Sequence, residues 1–227
     1  MNYTWNFSSI IHYRDVLYHG FVNTVLLALV SIFSALVVGV FLALLRTGRI
    51  SLLRVPAAIY VNFFRNIPFI VQLFWFFYAI PVMTSFQASP FFAAYFALTL
   101  YGGAYFAEIL RAGLEGIAYG QWEAAKAIGL GYRRTMTDVI LPQAIRRIIP
   151  PLTTEVIEMV KLTTIASSIA FGELLYAGKL VADQDFRPLE AYTAVAVVLI
   201  VLLCFLSGIG SWVERRLAIG VRPVKSR

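Results

Sequence analysis

Three long stretches of the chain run without a charge. Phe21 to Leu45 carries none over 25 positions, Asn66 to Ala107 none over 42, and Ala191 to Val213 none over 23. A bilayer core of about 30 Å takes about 20 apolar residues per helix, so the first and third stretches each predict one spanning helix. The middle stretch predicts two, folded at a turn that Pro81 and Ser89-Pro90 mark. Its first span can begin as early as Val55, which leaves Arg65 at the inner end. Ile148 to Phe171 is also long enough to span, although it contains Glu155, Glu158 and Lys161. Its apolar residues alternate with those charges at helical spacing, which predicts a further helix. The pattern as a whole predicts an all-α membrane protein of about five transmembrane helices.

Composition sharpens this picture. Of 227 residues, 60% are hydrophobic, 15% aromatic and only 14% charged, with mean hydropathy +0.78. Soluble domains carry about 25% charged residues, so a water-facing globule is excluded. The net charge of +7 does not point to nucleic acid, because no stretch is polar enough to form a basic face. Placed between the spans, the Lys and Arg residues report orientation instead. One side receives Arg46, Arg49, Arg54, Lys126, Arg133, Arg134, Arg146, Arg147, Arg215, Arg216, Arg222, Lys225 and Arg227; the other receives only Arg14, Lys179 and Arg187. The split predicts an N-out, C-in topology, and dropping the fourth span spoils it.

The first 19 residues mix Trp5, Phe7, Ile10, Ile11, Tyr13 and Tyr18 with polar positions, which suits an outer interfacial helix rather than a cleaved signal. Gly172 to Glu190 reads as an acidic outer loop with Glu173, Asp183, Asp185 and Glu190. Cys204, the one cysteine, reads as a buried inert thiol. His12 and His19 are the only histidines, so no metal cluster is predicted. The chain lacks a G-x-x-x-x-G-K-[ST] phosphate loop, Gly-x-Ser-x-Gly, H-E-x-x-H and C-x-x-C, which argues against a membrane enzyme.

The longest inner segment, about residues 114–147, carries the most specific pattern. Glu123-Ala124-Ala125-Lys126-Ala127-Ile128-Gly129 is followed, nine residues later, by Val139-Ile140-Leu141-Pro142. This resembles the E-A-A-x3-G-x9-I-x-L-P loop of ABC importer permeases, with Val139 in place of the usual Ile. Phe64-Arg65-Asn66-Ile67-Pro68-Phe69-Ile70-Val71-Gln72-Leu73, the stretch Gly103 to Arg111, Gly120-Gln121-Trp122, Leu141-Pro142-Gln143-Ala144 and Phe186-Arg187-Pro188-Leu189-Glu190 resemble the polar amino acid branch of that family. The resemblance covers nearly the whole chain. It implies a type I importer permease fold, with an outer N-terminal segment (1–19), a permease domain (20–216) and a cytoplasmic basic tail (217–227). It also implies a coupling helix in which Glu123, Ala124, Ala125, Gly129, Leu141 and Pro142 meet an ABC ATPase. The other implied partners are a second permease, identical or homologous, an extracytoplasmic amino-acid-binding protein and the bilayer of a bacterial inner membrane. No cofactor is implied for this chain, since ATP and Mg would sit on the ATPase. Physically, a helix of small residues allows close docking, Glu123 at its start suits the helix N-terminus, and Gly129 releases the chain into a turn.

Ionisable groups within a span cost about 2.5–3.5 kcal/mol each on insertion scales, so they face a cavity or a partner. Glu155 and Glu158 lie three apart on one helix face, with Thr154 and Lys161 near the same stripe. In the resembled family Glu155 and Lys161 match the common pattern, whereas Glu158 and Leu162 depart from it. Glu155, Glu158, Lys161 and Thr154 are candidates for the substrate pathway: Glu155 and Glu158 would hold the cationic part of an amino acid, the second carboxylate favouring a basic one, or Glu158 would instead form a structural ion pair with Lys161, Arg146 or Arg147. Asn62 and Arg65 could meet a substrate carboxylate, and Arg65 could equally snorkel to the interface. Glu108 and Arg111 read as a local ion pair, and Phe74 to Tyr78 as lipid-facing aromatics. A gradient-driven secondary transporter or channel explains the buried charges but not the inner segment, and inverted repeats are not evident.

Overall fold

The computed structural model describes residues 3–48, 50–84, 87 and 89–218. Arg49, Arg222, Lys225 and Arg227 of the orientation count, and all but the start of the 217–227 tail, lie outside the described residues. Among the described residues the regular structure is entirely helical. Three helices are long and apolar enough to cross a membrane, and counting each of two bent pairs as one span gives up to five.

A short helix α1 (Ser8–His12) leads through Tyr13 into α2 (Arg14–Thr47). The N-terminal 19 residues are therefore not one interfacial helix: the spanning helix has already begun at Arg14. α3 (Ser51–Asn66) follows, then α4 (Phe69–Phe74), a π-helical turn (Trp75–Ala79) and α5 (Ile80–Thr84). The chain bends by 105° between Asn66 and Phe69. Ile67, which precedes Pro68, is extended (φ −98°, ψ 132°), because the proline ring crowds the helical conformation there. The carbonyls left bare by the bend are met by Gln72, whose Nε2 donates to Phe64 O at 2.8 Å and Ile67 O at 2.9 Å. So the chain does not run straight through from Val55, and Arg65 sits at the elbow. Pro81 marks no reversal either, since it lies inside α5, just past the widened π turn that accommodates its missing N–H. Ser89 does begin the next helix, accepting from Phe92 N ahead of Pro90.

That helix, α6 (Pro90–Glu115), is the core of the bundle. Ala35 of α2 faces Gly102 and Gly39 faces Phe106, so the two helices run parallel. A Cβ on Gly39 would stand 2.6 Å from the Phe106 Cβ, and one on Gly103 2.7 Å from Val38. Between membrane helices, where lipid is as apolar as leucine, such close backbone approach supplies the packing attraction. Leu27, Leu73, Ala94, Ala97, Leu98, Phe106 and Met159 complete the buried centre.

After α6 come α7 (Tyr119–Ala127), α8 (Tyr132–Arg134), a second π-helical turn (Thr135–Ile140) and α9 (Leu141–Leu162). α9 tightens into a 3₁₀ turn (Thr163–Ile169) and ends at Ala170, which is left-handed with φ 58°. The residues 172–190 are not a loop but mostly α10 (Leu174–Asp185), bent by 46° from α9. Leu174, Ala177, Gly178, Val181 and Ala182 face inward at helical spacing, which the surrounding charges obscure in the sequence. Asn23 Nδ2 donates to Gly172 O at 2.7 Å, and Leu174 N donates to Thr24 Oγ1 at 3.0 Å, tying α10 to α2. Nor are all the acidic residues at the surface. Glu173 is fully buried and accepts from Leu175 N and Tyr176 N at the head of α10. Glu190 is also buried, taking Asn6 N at 3.0 Å, Arg187 at 2.9 Å and the Tyr3 hydroxyl. The carboxylate beside Tyr3 raises that phenol's pKa above its ordinary value.

α11 (Pro188–Ala218) closes the fold and stays largely exposed, with Val197, Ile200, Val201 and Phe205 on its outer face. Cys204 lies among them, exposed rather than buried. A hydrophobic run says how apolar a side chain's surroundings are, not whether lipid or protein supplies them.

Candidate functional site

The 114–147 segment projects from the bundle as a helix on a stalk. α7 buries a single residue, Ala125, and leaves Tyr119, Ile128 and the following Tyr132 more than two-thirds exposed. Glu123, Ala124 and Ala127 are exposed, and Glu123 has no ion-pair partner among the described residues. The helix starts at Tyr119, so Glu123 lies one turn inside it and not at its start. The end is a Schellman arrangement. Gly129 takes φ +80°, its N–H reaches Lys126 O at 2.9 Å, and Leu130 N reaches Ala125 O at 3.0 Å. Trp122 stacks on Tyr132 at 6.4 Å, holding the two arms of the turn together. Leu141 and Pro142 form the first turn of α9, and Leu141 is part-exposed there. The small-residue surface and the positive-φ glycine thus lie on one protrusion, while Leu141-Pro142 sit at its root.

The second candidate site is a groove of about 410 Å³ at the α3–α4 elbow, lined by Arg65, Asn66, Pro68, Tyr101, Tyr105 and Leu162 among others. The Arg65 guanidinium lies over the Tyr105 ring at 5.3 Å, and the Tyr101 ring lies tilted by 34° against that of Tyr105, their centroids 4.6 Å apart. Glu155 comes toward this cluster from α9 and is within electrostatic reach of Arg65, Glu158 and Tyr101. Its side chain is buried, and its Oε1 has no hydrogen-bond partner among the described residues. Glu158 pairs with Lys161 one turn on, both about half exposed. Arg146 and Arg147 do not reach Glu158. Thr154 is exposed and turns its hydroxyl back to Pro150 O at 3.2 Å. Asn62 is exposed too, and its carbonyl accepts from Asn66 Nδ2 at 2.7 Å, so neither lines the groove.

Arg65 does not simply snorkel to water: it reaches Glu108 at 3.9 Å as well as Tyr105. Glu108 and Arg111 do pair, within a larger network that also includes Arg46 and Glu115. Of the aromatic run, Phe74, Trp75 and Tyr78 are exposed, but Phe76 and Phe77 pack on the core. Tyr101, Tyr105 and Arg46 were not singled out from the sequence as candidates. Polar-tipped Tyr101, Tyr105 and Glu108 recur at four- and three-residue spacing on one face of α6, a stripe that was readable.

Residues 35–219 match the family model described as the binding-protein-dependent transport system inner membrane component. The chain belongs to this family. Among relatives, a probable glutamine ABC transporter permease of Bacillus subtilis is 34% identical over 96% of this chain and 98% of the relative. An arginine transport system permease of the same organism is 32% identical over 93% and 97%. Among solved structures, an amino acid ABC transporter with histidines superposes with TM-score 0.88 and 31% identity, covering 94% of this chain and 100% of that one. The inward-facing MetNI methionine transporter gives TM-score 0.71 at 26% identity, covering 89% of this chain and 96% of that one. The permease resemblance drawn from the motifs, and the bacterial inner-membrane location it implied, therefore stand.

Proposed function

We propose that this permease forms half of the translocation pathway of an ATP-driven amino acid importer, oriented N-out and C-in. The observation that carries the reading is α7, a small-residue helix held away from the bundle and ended by a positive-φ glycine, at the place where the motif resemblance puts the coupling loop. In this reading ATP and Mg bind to partner ATPase subunits, and this chain has no ATPase site of its own. ATP binding draws the ATPases together, α7 follows them through the exposed Glu123, Ala124 and Gly129 while Ala125, buried against the chain, does not face them, and Leu141 and Pro142 carry the motion into α9. A second permease, identical or homologous, supplies the other half of the path, and an extracytoplasmic binding protein delivers the substrate.

The elbow groove is the proposed pathway site. Glu155 offers a buried carboxylate with an unpartnered oxygen, and leaving such a group unpaired is costly, so a ligand ammonium gains by meeting it. Arg65, in the groove lining, offers a cation to a substrate carboxylate, while Glu155 on α9 lies outside the lining residues but within electrostatic reach of Arg65. Together they suit a zwitterionic polar amino acid. A basic side chain would additionally engage Glu158 by displacing Lys161. Uptake of labelled arginine and glutamine into vesicles tests this. Glu155→Gln should weaken both, whereas Glu158→Gln should weaken arginine alone. Equal uptake of both amino acids by wild type and Glu155→Gln would remove the site from the pathway, and unaltered selectivity in Glu158→Gln would leave it as a structural ion pair.

A further inference from the structure

The segment that carries α7 leaves the bundle at the end of α6 and returns on α9, and the two ends are locked together by contacts the motif does not include. Gly116 caps α6, donating its N–H to Ala112 O at 2.9 Å. Its own carbonyl accepts from the Arg147 guanidinium. A Cβ on Gly116 would lie 2.7 Å from Arg147 Cζ, and one on Gly113 would lie 2.1 Å from Ile148 Cγ1. The two glycines, three apart on α6, form a slot into which Arg147 and Ile148 of α9 fit side by side. Gly116 has no positive φ, so the requirement for glycine there is space for the guanidinium and not backbone freedom. A cation against the last carbonyls of a helix also meets the negative end of its dipole. Arg147 has no carboxylate partner among the described residues, so this carbonyl is its engagement. One turn nearer α7, Gln143 Nε2 donates to Gln121 Oε1 at 3.2 Å.

From this geometry we infer that Arg147, seated in the Gly113–Gly116 slot, is a positioning residue that makes the base of the 114–147 segment rigid, so that displacement of α7 moves α9 instead of bending the stalk. The inference rests on the coupling reading of α7. The need is physical. α7 buries only Ala125, and the π turn Thr135–Ile140 interrupts the α-helical hydrogen bonding between α8 and α9. Without a locked base, motion entering at α7 would dissipate there. The lock also joins α9, which bears Glu155 and Glu158, directly to α6, which bears Tyr101 and Tyr105. The α6 side of the elbow groove, with Tyr101 and Tyr105, and Leu162 at the end of α9 are therefore mechanically continuous with the stalk.

The test uses the complete transporter in liposomes, with its ATPase and binding protein, reading ATP hydrolysed and labelled glutamine and arginine taken up in the same sample. Arg147→Ala should retain ATP hydrolysis while uptake per ATP falls about tenfold, roughly what the loss of one charged hydrogen bond carries. Gly116→Ala, which fills the guanidinium's seat without touching its charge, should fall in the same direction. The double variant should be no worse than the more affected single one, and Arg147→Lys should recover part of the ratio. An unchanged ratio in Arg147→Ala and Gly116→Ala overturns the inference. So does a parallel loss of hydrolysis and uptake in proportion to assembled complex, which marks a purely structural role. Ala124→Trp separates the two levels, because it blocks docking at α7. If it uncouples while the slot variants do not, only the lock is wrong; if it leaves the ratio unchanged, the coupling reading itself falls.

Discussion

Replacing Glu108 tests the packing account most severely, because one carboxylate holds three helices. It accepts from Arg46 of α2 and from Arg111 of its own helix, where Nε stands at 3.2 Å, and Arg65 of α3 approaches to 3.9 Å. The Arg46 and Glu108 side chains are 12% and 22% exposed, so the pair is neither dry nor a surface contact. Removing one partner of a fully buried pair costs about 3–5 kcal/mol, and exposed pairs contribute about 0–1. With roughly a fifth of the carboxylate in solvent, Glu108→Ala should cost about 2–3 kcal/mol. At about 2–4 °C per kcal/mol for a chain of this size, the melting temperature in detergent should drop by roughly 5–10 °C. Glu108→Gln keeps an acceptor but no charge and should lose about half as much. The decisive arm is the double variant with Arg46→Ala. Both single changes break the same ion pair, and Glu108→Ala also strands the Arg46 charge, so the double loss should be smaller than the sum. A melting temperature within a degree of wild type, or strict additivity, would refute the network.

Other expectations follow from single positions. Gly39→Ala should destabilise by about 1–3 kcal/mol, since its Cβ would press on the Phe106 Cβ and the parallel helices must part; Gly120→Ala, with nothing within 4 Å, should be neutral or slightly stabilising in the same melts. Gly129→Ala meets no neighbour either, yet forces alanine to φ +80°, at a cost of about 1–2 kcal/mol. It should lower uptake more than assembly, and uptake equal to wild type would count against a role for this turn. Cys204 should react in membranes with a lipid-soluble maleimide and resist a charged one; no reaction in either case would mean α11 is covered by protein.

Where the chain is governed by charge-free length, the sequence was legible: α2, α6 and α11 lie under the three uncharged stretches. The turn into α6 was legible too, because Ser89-Pro90 is local chemistry. What could not be read was tertiary. Whether Pro81 breaks or bends its helix depends on a π turn, and the 105° elbow depends on Gln72 reaching back to carbonyls five and eight residues away. α10 was hidden because two of its flanking carboxylates, Glu173 and Glu190, are buried partners of backbone and N-terminal groups rather than a solvated acidic face. Of the candidate groove, Arg65, Glu155 and Glu158 were visible as misplaced charges within apolar surroundings. Tyr101 and Tyr105 were readable only as a stripe with Glu108 on one face of α6, and nothing in the sequence showed that the elbow brings Arg65 over Tyr105.

We propose α7 as the surface through which an ATPase drives this permease. Ala124→Cys, in a Cys204→Ser background, places one thiol on the exposed face of α7 in the transporter purified from its own host. The account predicts that a short thiol-to-amine crosslinker joins this position to a co-purifying ATPase, and that the crosslink stops ATP-driven uptake. A chain that purifies alone and still drives uptake in ATP-depleted vesicles on an ion gradient would contradict it.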